Sequence, residues 1–311
     1  MDLIAGLIQT AILAGGVLAL AALGEVLAER AGVVNLGVEG LMALGAITGI
    51  ATVVAVPSPT LGFALALLVG LAVGMVFATA TVIVRANQIL CGLALTLMGT
   101  GVAAMIGKAY SGIPAPATFP PIAIPLLSEL PLVGRALFTQ NILVYLIYLV
   151  LPFCIHHLLF RTRHGLDLRA VGENPAAADA AGIPVRRIRF WYVSVGAAFA
   201  AGAGAYLTLA FVPSWSEGVV AGRGWIAVAL VIFAGYRPWT AVMAALLFGL
   251  ITSLGFVGQA RNWPIAAPVL SMLPYLGTIA LMIVPVLAWQ KVRRLMAAPA
   301  ALGEPYFRDV R

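Results

Sequence analysis

The feature that most constrains this chain is a series of long apolar segments without Asp, Glu, Lys or Arg. A helix that crosses a bilayer needs roughly 20 apolar residues, and only helices and closed barrels satisfy their own backbone groups in lipid. Barrel strands alternate in polarity, and these segments do not. Seven uninterrupted runs cover 3–23, 60–84, 89–107, 140–160, 190–212, 238–258 and 268–289, and two shorter or polar-interrupted runs cover 31–56 and 224–236. The sequence therefore predicts an all-α, polytopic transmembrane bundle with eight to ten membrane segments.

Composition supports a membrane protein. Of the 311 residues, 62% are hydrophobic and 9% are charged, whereas soluble domains usually carry about 25% charged residues. We therefore expect one transmembrane domain over 1–311, surrounded by the lipid bilayer. The formal charge is +7, but eleven of the 18 Lys and Arg residues lie in 161–189 and 291–311. This clustering is typical of cytoplasmic loops, so a nucleic-acid partner is not expected.

The basic clusters also predict the topology. The loop 161–189 and the tail 290–311 are expected in the cytoplasm, and the four runs between them supply the even number of crossings that this requires. The stretch 108–139 is then external. It contains six prolines, which deny backbone donors, so it is expected to be an irregular loop or a short re-entrant piece. The side of the N-terminus stays open, because 31–56 can cross once or break and re-enter. The predicted location is the bacterial inner (plasma) membrane, as a multi-pass protein.

One apolar run contains a polar cluster, in which Asn35 and Glu39 are followed by Gly40. Residues four apart share a helical face, and ionisable groups at membrane depth are expensive. One interpretation is a discontinuous helix whose Asn35, Glu39 and Gly40 line a translocation path. The other is a structural carboxylate bonded between helices. Because Glu39 is the only charged residue in the nine runs, we expect an uncharged polar solute, a nucleoside rather than a sugar, with Tyr206 and Trp225 able to stack on a base.

The basic loop contains one sharply bounded helix. Asn174 is a favoured N-cap and Pro175 a favoured first helical residue, while Gly182 is a ready stop and Pro184 prevents continuation. Alanines between them give high helix propensity, so a helix of about seven residues is expected. Its small side chains give it a thin profile that can enter a groove on another protein. A solvated connector helix is the alternative interpretation.

The segment 169–183 resembles the coupling loop of permease subunits of ABC importers. The similar family is that of simple-sugar, nucleoside and branched-chain amino-acid permeases. Three further stretches resemble its nucleoside and simple-sugar branch, and the resemblance covers about 10–290; these stretches are 29–40, 132–138 and 222–233. The turn 235–238, Gly-Tyr-Arg-Pro, departs slightly from the family pattern.

The resemblance implies the permease subunit of an ATP-driven importer for a small uncharged polar solute, a nucleoside or simple sugar. It implies three protein partners: a cytoplasmic ABC ATPase, a second permease subunit (homologous, or a copy of itself) and an external solute-binding lipoprotein. It implies no cofactor, because the partner ATPase binds ATP. The residues that it places against the ATPase are Gly172, Glu173, Asn174, Pro175, Ala176, Ala177, Ala178, Gly182 and Ile183.

Other functional classes find less support. No nucleophile motif, metal-ligand spacing or phosphate-binding loop is visible, so no catalytic, cofactor-binding or metal residues are predicted, and an enzyme is not expected. An ion-coupled secondary transporter is the main alternative. It would use intramembrane carboxylates, for which Glu39 is the candidate. A self-powered carrier does not need the capped helix in the loop.

Overall fold

The computed structural model describes residues 2–129, 134–287 and 297–308, and most of these are helical. The α-helices of this part of the chain are α1 (Asp2–Arg30), α2 (Val38–Ala55), α3 (Pro59–Ala78), α4 (Gln88–Gly107), α5 (Gly134–Phe138), α6 (Ile142–Tyr145), α7 (Leu151–Arg161), α8 (Arg163–Glu173), α9 (Pro175–Ala180), α10 (Val185–Tyr206), α11 (Arg223–Phe233), α12 (Pro238–Ala260) and α13 (Ala267–Leu287). A 3₁₀ turn (Lys108–Tyr110) extends α4. One π-helical turn (Thr79–Ile83) extends α3, a second (Leu146–Val150) joins α6 to α7, and a third (Leu207–Phe211) extends α10.

Seven helical segments of the described residues are long and apolar enough to cross a membrane, and α11 and α13 are further apolar helices. The predicted all-α membrane bundle is therefore confirmed. The 11 residues of α11 span only about 16 Å, roughly half of a 30 Å hydrocarbon core. The irregular segment 212–222 precedes α11, and the two together lead from one end of the bundle to the other.

The first two membrane segments differ from the sequence-based boundaries. Residues 31–37 are non-helical, and α2 then runs without a break for 18 residues. The helix α1 continues to Arg30, well past the end of its apolar run. Glu25 and Glu29 therefore lie within a membrane helix, and the prediction that Glu39 is the only charged residue in the spans is wrong.

The helices α1 and α10 form the centre of the bundle. The helix α1 packs against α10, α11 and α12, and α10 packs against α2 and α3. Glycines bring α2 and α10 into backbone contact, since a Cβ added to Gly45 would overlap the carbonyl oxygen of Ala201. A Cβ on Gly204 would overlap the carbonyl oxygen of Met42. No other residue fits at either position without moving a helix.

One end of the bundle, here called the loop end, gathers segments that are distant in sequence. The side chain of Arg30 donates to the carbonyl oxygen of Tyr236 at 2.9 Å, which joins the end of α1 to the turn between α11 and α12. The amide of Ala301 donates to the carbonyl oxygen of Gly172 at 3.0 Å, which joins the described part of the tail to the last turn of α8. The loop and the described tail thus lie at the same end of the bundle. The cytoplasmic location of this end stays a prediction. Lys291, Arg293 and Arg294 lie outside the described residues.

The opposite end carries the proline-rich stretch. A two-stranded antiparallel ribbon of β1 (Pro121–Ala123) and β2 (Thr139–Asn141) closes it, with Ile122 opposite Gln140. Isolated bridges join Ser111 to Trp215 and Pro114 to Ser214. The irregular segment 212–222 therefore begins at this end and descends toward the middle of the bundle.

Candidate functional site

The predicted loop helix is present as α9, with six residues. The Asn174 side chain accepts a hydrogen bond from the amide of Ala177 at 3.0 Å, which satisfies one of the free donors of the first turn. Gly182 follows the last turn with φ +84°, a left-handed conformation that glycine adopts without strain. Both ends of α9 are therefore fixed by local sequence.

The predicted ATPase-contacting residues fall into two groups. A partner can reach the exposed members, which are Glu173, Asn174, Ala176, Ala177 and Gly182, and partly the half-buried Pro175 and Ile183. Gly172 and Ala178 point inward. A Cβ on Gly172 would overlap the carbonyl oxygen of Arg30, and Ala178 is only 3% exposed. These two residues anchor the loop to the bundle. The accessible face of α9 is made mainly of small side chains, with Ala176 and Ala177 exposed.

The elbow between α7 and α8 makes this loop a stiff extension of a membrane helix. The Thr162 side chain caps α8 by accepting from the amide of Gly165 at 3.0 Å. The guanidinium groups of Arg30 and Arg169 lie 5.8 and 5.2 Å from the centre of the Phe160 ring, within cation–π range. These contacts tie α8 to α1 and α7.

The three residues predicted to line a path have three different structural roles. Asn35 is 1% exposed and its side chain accepts from the amide of Gly37 at 2.9 Å, in the turn that precedes α2. It is not helical, so the expected shared helical face of Asn35 and Glu39 is wrong. Gly40 packs against α4, since a Cβ there would lie 2.5 Å from the carbonyl oxygen of Leu95.

Glu39 anchors the half-helix α11. One carboxyl oxygen accepts from the amide of Gly222 at 2.8 Å and the other from the amide of Gly224 at 2.7 Å. Free amides and the helix dipole make a helix N-terminus attractive for a carboxylate. The structural interpretation of Glu39, a carboxylate bonded between helices, therefore describes its contacts, and the same residue also borders a cavity.

Further contacts hold the pre-α11 segment, which we define as residues 216–222. The Arg223 side chain donates to the carbonyl oxygens of Val219 and Val220 at 3.0 and 2.9 Å. The Tyr275 hydroxyl donates to the carbonyl oxygen of Ala221. Ala221 has φ +49°, a conformation that is uncommon outside glycine. The segment is thus held in a tight turn by α2, α11 and α13.

Two cavities border the pre-α11 segment. The Glu39 cavity has a volume of about 340 Å³ and is lined by Glu39, Ala43, Leu97, Thr100, Gly101, Ala104, Trp215, Glu217, Gly218, Val219 and Val220. The Arg223 cavity has about 250 Å³ and is lined by Ala14, Leu18, Ala221, Arg223, Ile226, Thr252, Gly255, Phe256, Gln259, Leu270, Ser271, Pro274 and Tyr275. Sites for small ligands usually measure about 300–1,000 Å³, so the Glu39 cavity is large enough for one small solute.

The aromatic residues proposed for stacking are placed differently from expectation. Tyr206 is fully buried and its ring packs on Gly16 of α1, so the suggestion that Tyr206 stacks on a base is wrong. Trp225 is 38% exposed on α11. The aromatic side chain in the Glu39 cavity is Trp215, which approaches α4 closely because residue 107 is glycine. No sequence pattern pointed to Trp215, since it lies in an irregular segment.

Glu25 and Glu29 of α1 are the other polar residues that sequence reasoning missed. They are 0% and 2% exposed, and among the described residues neither oxygen of Glu25 has a hydrogen-bond partner. Their spacing of four, next to an apolar run, was the signal that one helix carries both. Within the described residues, no group of three or more His, Cys, Asp or Glu side chains could hold a metal ion.

A multi-pass bundle with a half-helix, cavities bordered by charged side chains and a capped helical loop at one end is an architecture that suits a membrane permease. The family model described as "Branched-chain amino acid transport system / permease component" matches residues 7–284, and the chain belongs to this family.

Named relatives agree with this membership. The chain is 39% identical to a putative glucose ABC transporter permease of Haloferax volcanii, over 100% of both chains. It is 34% identical to a nucleoside ABC transporter permease of Lactococcus lactis, over 83% of this chain and 84% of that one. It is 32% identical to a guanosine ABC transporter permease of Bacillus subtilis, over 94% of both. No solved structure matches.

The chain is therefore the transmembrane permease subunit of an ABC transporter, located in the cell membrane, and it works with an ATPase and other transporter components. The resemblance drawn from 169–183 and the three other stretches is confirmed. The alternative of an ion-coupled secondary transporter is not supported by this family.

Proposed function

We propose that this permease imports an uncharged polar solute, a nucleoside or a simple sugar, and that its ATPase docks on the exposed face of α9. The observation that carries the docking site is a capped helix whose exposed positions are small, with Ala176 and Ala177 among them. Small side chains let a backbone approach a partner closely. Because both ends of α9 are fixed, the helix can transmit a displacement of the ATPase to the bundle without unwinding.

The solute class rests on the Glu39 cavity and on the relatives. Glu39 and Glu217 line this cavity with acceptors, and Thr100 and Trp215 add a hydroxyl and an indole ring. Carboxylates attract hydroxyl and amino donors and repel anions, while a ring face suits a base or a sugar. Three relatives are named for glucose, nucleosides and guanosine. These observations favour a neutral solute that is rich in donors.

The remaining partners follow from the same proposal. A second permease subunit, homologous or identical, completes the membrane part, and an external solute-binding lipoprotein delivers the solute. The ATPase binds ATP, and the permease needs no cofactor of its own. Closure of the ATPase on ATP displaces α9, and the bundle then opens the path to one side and the other in turn.

Uptake measurements test the solute and the energy source together. Cells that express the chain with its transporter partners receive radiolabelled guanosine, glucose or leucine, and a matched strain lacks the ATPase. We expect guanosine uptake to exceed glucose uptake, and both to vanish without the ATPase. Uptake of leucine alone would reject the solute class, and uptake that persists without the ATPase would reject the energy source.

A further inference from the structure

The described part of the C-terminal tail binds the predicted coupling loop directly. We call residues 297–308 the C-terminal strap. The amide of Ala301 donates to the carbonyl oxygen of Gly172 at 3.0 Å, and the amide of Ala300 donates to the Glu173 side chain at 3.2 Å. Farther along, the Arg308 guanidinium pairs with Asp179 of α9 at 3.2 Å. The strap thus contacts the last turn of α8 and the last turn of α9.

The strap also binds the junction between α1 and α2. The amide of Gly303 donates to the carbonyl oxygen of Gly32 at 3.2 Å. A Cβ on Gly32 would lie 3.2 Å from the carbonyl oxygen of Ala301, so the two segments are in close contact. Gly32 belongs to the non-helical residues 31–37 that lead to Glu39. The strap therefore connects the coupling loop to the segment that positions the carboxylate at the half-helix.

Two arginines from distant parts of the chain also contact the strap. The Arg189 side chain of α10 donates to the carbonyl oxygen of Glu304 at 2.8 Å. The Arg85 guanidinium, in the turn between α3 and α4, lies 4.8 Å from the centre of the Phe307 ring. Ala301 is only 6% exposed, and Leu302 and Tyr306 pack against the main core. The strap is an integrated part of the loop end.

We propose that the C-terminal strap transmits the displacement of α9 to the α1–α2 junction, and through it to Glu39 and the pre-α11 segment. This inference rests on the proposed docking of the ATPase at α9. Since the strap is bonded on one side to Gly172 and on the other to Gly32, a displacement of the loop acts on the junction through the strap. A strap that detaches leaves the ATPase bound but breaks this connection between α9 and the junction.

The test uses Ala301→Arg in the full transporter. The buried position leaves no room for a long charged side chain, so the strap must detach. The matched control is Ala300→Arg. The adjacent Ala300 has an exposed side chain, and the hydrogen bond from its backbone amide to Glu173 does not depend on that side chain. A third variant, Ala301→Gly, keeps the space free. Three quantities are measured: recovery of the ATPase with the permease, stimulation of ATP hydrolysis by the solute-loaded binding protein, and uptake.

For Ala301→Arg we expect full ATPase recovery, loss of stimulated hydrolysis and loss of uptake, with both control variants close to wild type. Normal uptake in Ala301→Arg would overturn the proposal. Loss of ATPase recovery would also overturn it, because the strap would then be part of the docking surface. If Ala301→Arg fails to insert, a chain that ends after residue 296 replaces it in the test, and we expect that chain to show the same uncoupled phenotype. Failure of both variants to insert would overturn the proposal, because the strap would then serve folding only. Loss of docking at α9 is measured separately with Ala177→Arg, so failure of the two proposals is distinguishable.

Discussion

Substitution of Glu39 by Gln tests whether this carboxylate holds the pre-α11 segment in place. Its two oxygens accept from the amides of Gly222 and Gly224 at 2.8 and 2.7 Å, and Gly224 is buried. Glutamine has nearly the same shape but only one acceptor oxygen, because its other terminal atom is an NH₂ group. One of the two amides therefore faces a donor in place of an acceptor.

The magnitude follows from the loss of one charge-assisted hydrogen bond at a half-helix N-terminus. A bond to a charged group contributes about 1.5–3 kcal/mol, and every 1.4 kcal/mol changes an equilibrium about tenfold. We therefore expect the detached form of the segment to become about 10- to 150-fold more populated. The rest of the bundle keeps its packing, so expression and insertion should be unchanged.

The assay is the rate at which a thiol reagent modifies Val220→Cys, in a background without Cys91 and Cys154. Val220 is 3% exposed and sits two residues before Gly222, so its modification reports detachment. The matched control is Glu217→Gln. Glu217 lines the same cavity, but the amides of Gly222 and Gly224 donate to Glu39 and not to Glu217. An unchanged modification rate on introducing Glu39→Gln, or an equal rise with Glu217→Gln, would refute the role assigned to Glu39.

Three further results are expected. Replacement of Asn174 by Ala removes the α9 cap at a cost of about 1 kcal/mol, so uptake and solute-stimulated ATP hydrolysis should fall partially while insertion stays normal. Replacement of Gly45 by Val overpacks the α2–α10 contact and should abolish recovery of folded permease in detergent, whereas Gly101→Ala should be tolerated because no atom lies within 4 Å of the added Cβ. In intact cells, Ala176→Cys should resist a membrane-impermeant thiol reagent, and strong labelling from outside would contradict the topology.

Local signals explain what the sequence predicts well. The membrane helices follow from apolar runs, because lipid leaves the backbone no alternative. The helix α9 follows from Asn174, Pro175 and Gly182, whose effects act within a few residues and need no tertiary contact. Both features are present in the structure with most boundaries shifted by only a few residues.

Long-range contacts explain what the sequence could not predict. Charges at Glu25 and Glu29 ended the apolar run, although the surrounding protein buries them and α1 continues to Arg30. The half-helix α11 depends on an acceptor, Glu39, that is 185 residues away from Gly224. The strap has no helical or strand periodicity, and its position is set by bonds to segments far away in sequence.

The most direct test of the central claim, that α9 is where the ATPase docks, is recovery of the ATPase with the permease, measured together with uptake for Ala177→Arg. Ala177 is exposed on α9, so a bulky side chain there leaves the bundle intact but cannot enter a closely packed groove. Ala177→Ser is the matched control, because it keeps the side chain small. We predict that Ala177→Arg is made and inserted, recovers little ATPase and does not import, while Ala177→Ser behaves as wild type. Normal ATPase recovery together with normal uptake in Ala177→Arg would show that α9 is only a connector, and would contradict the claim.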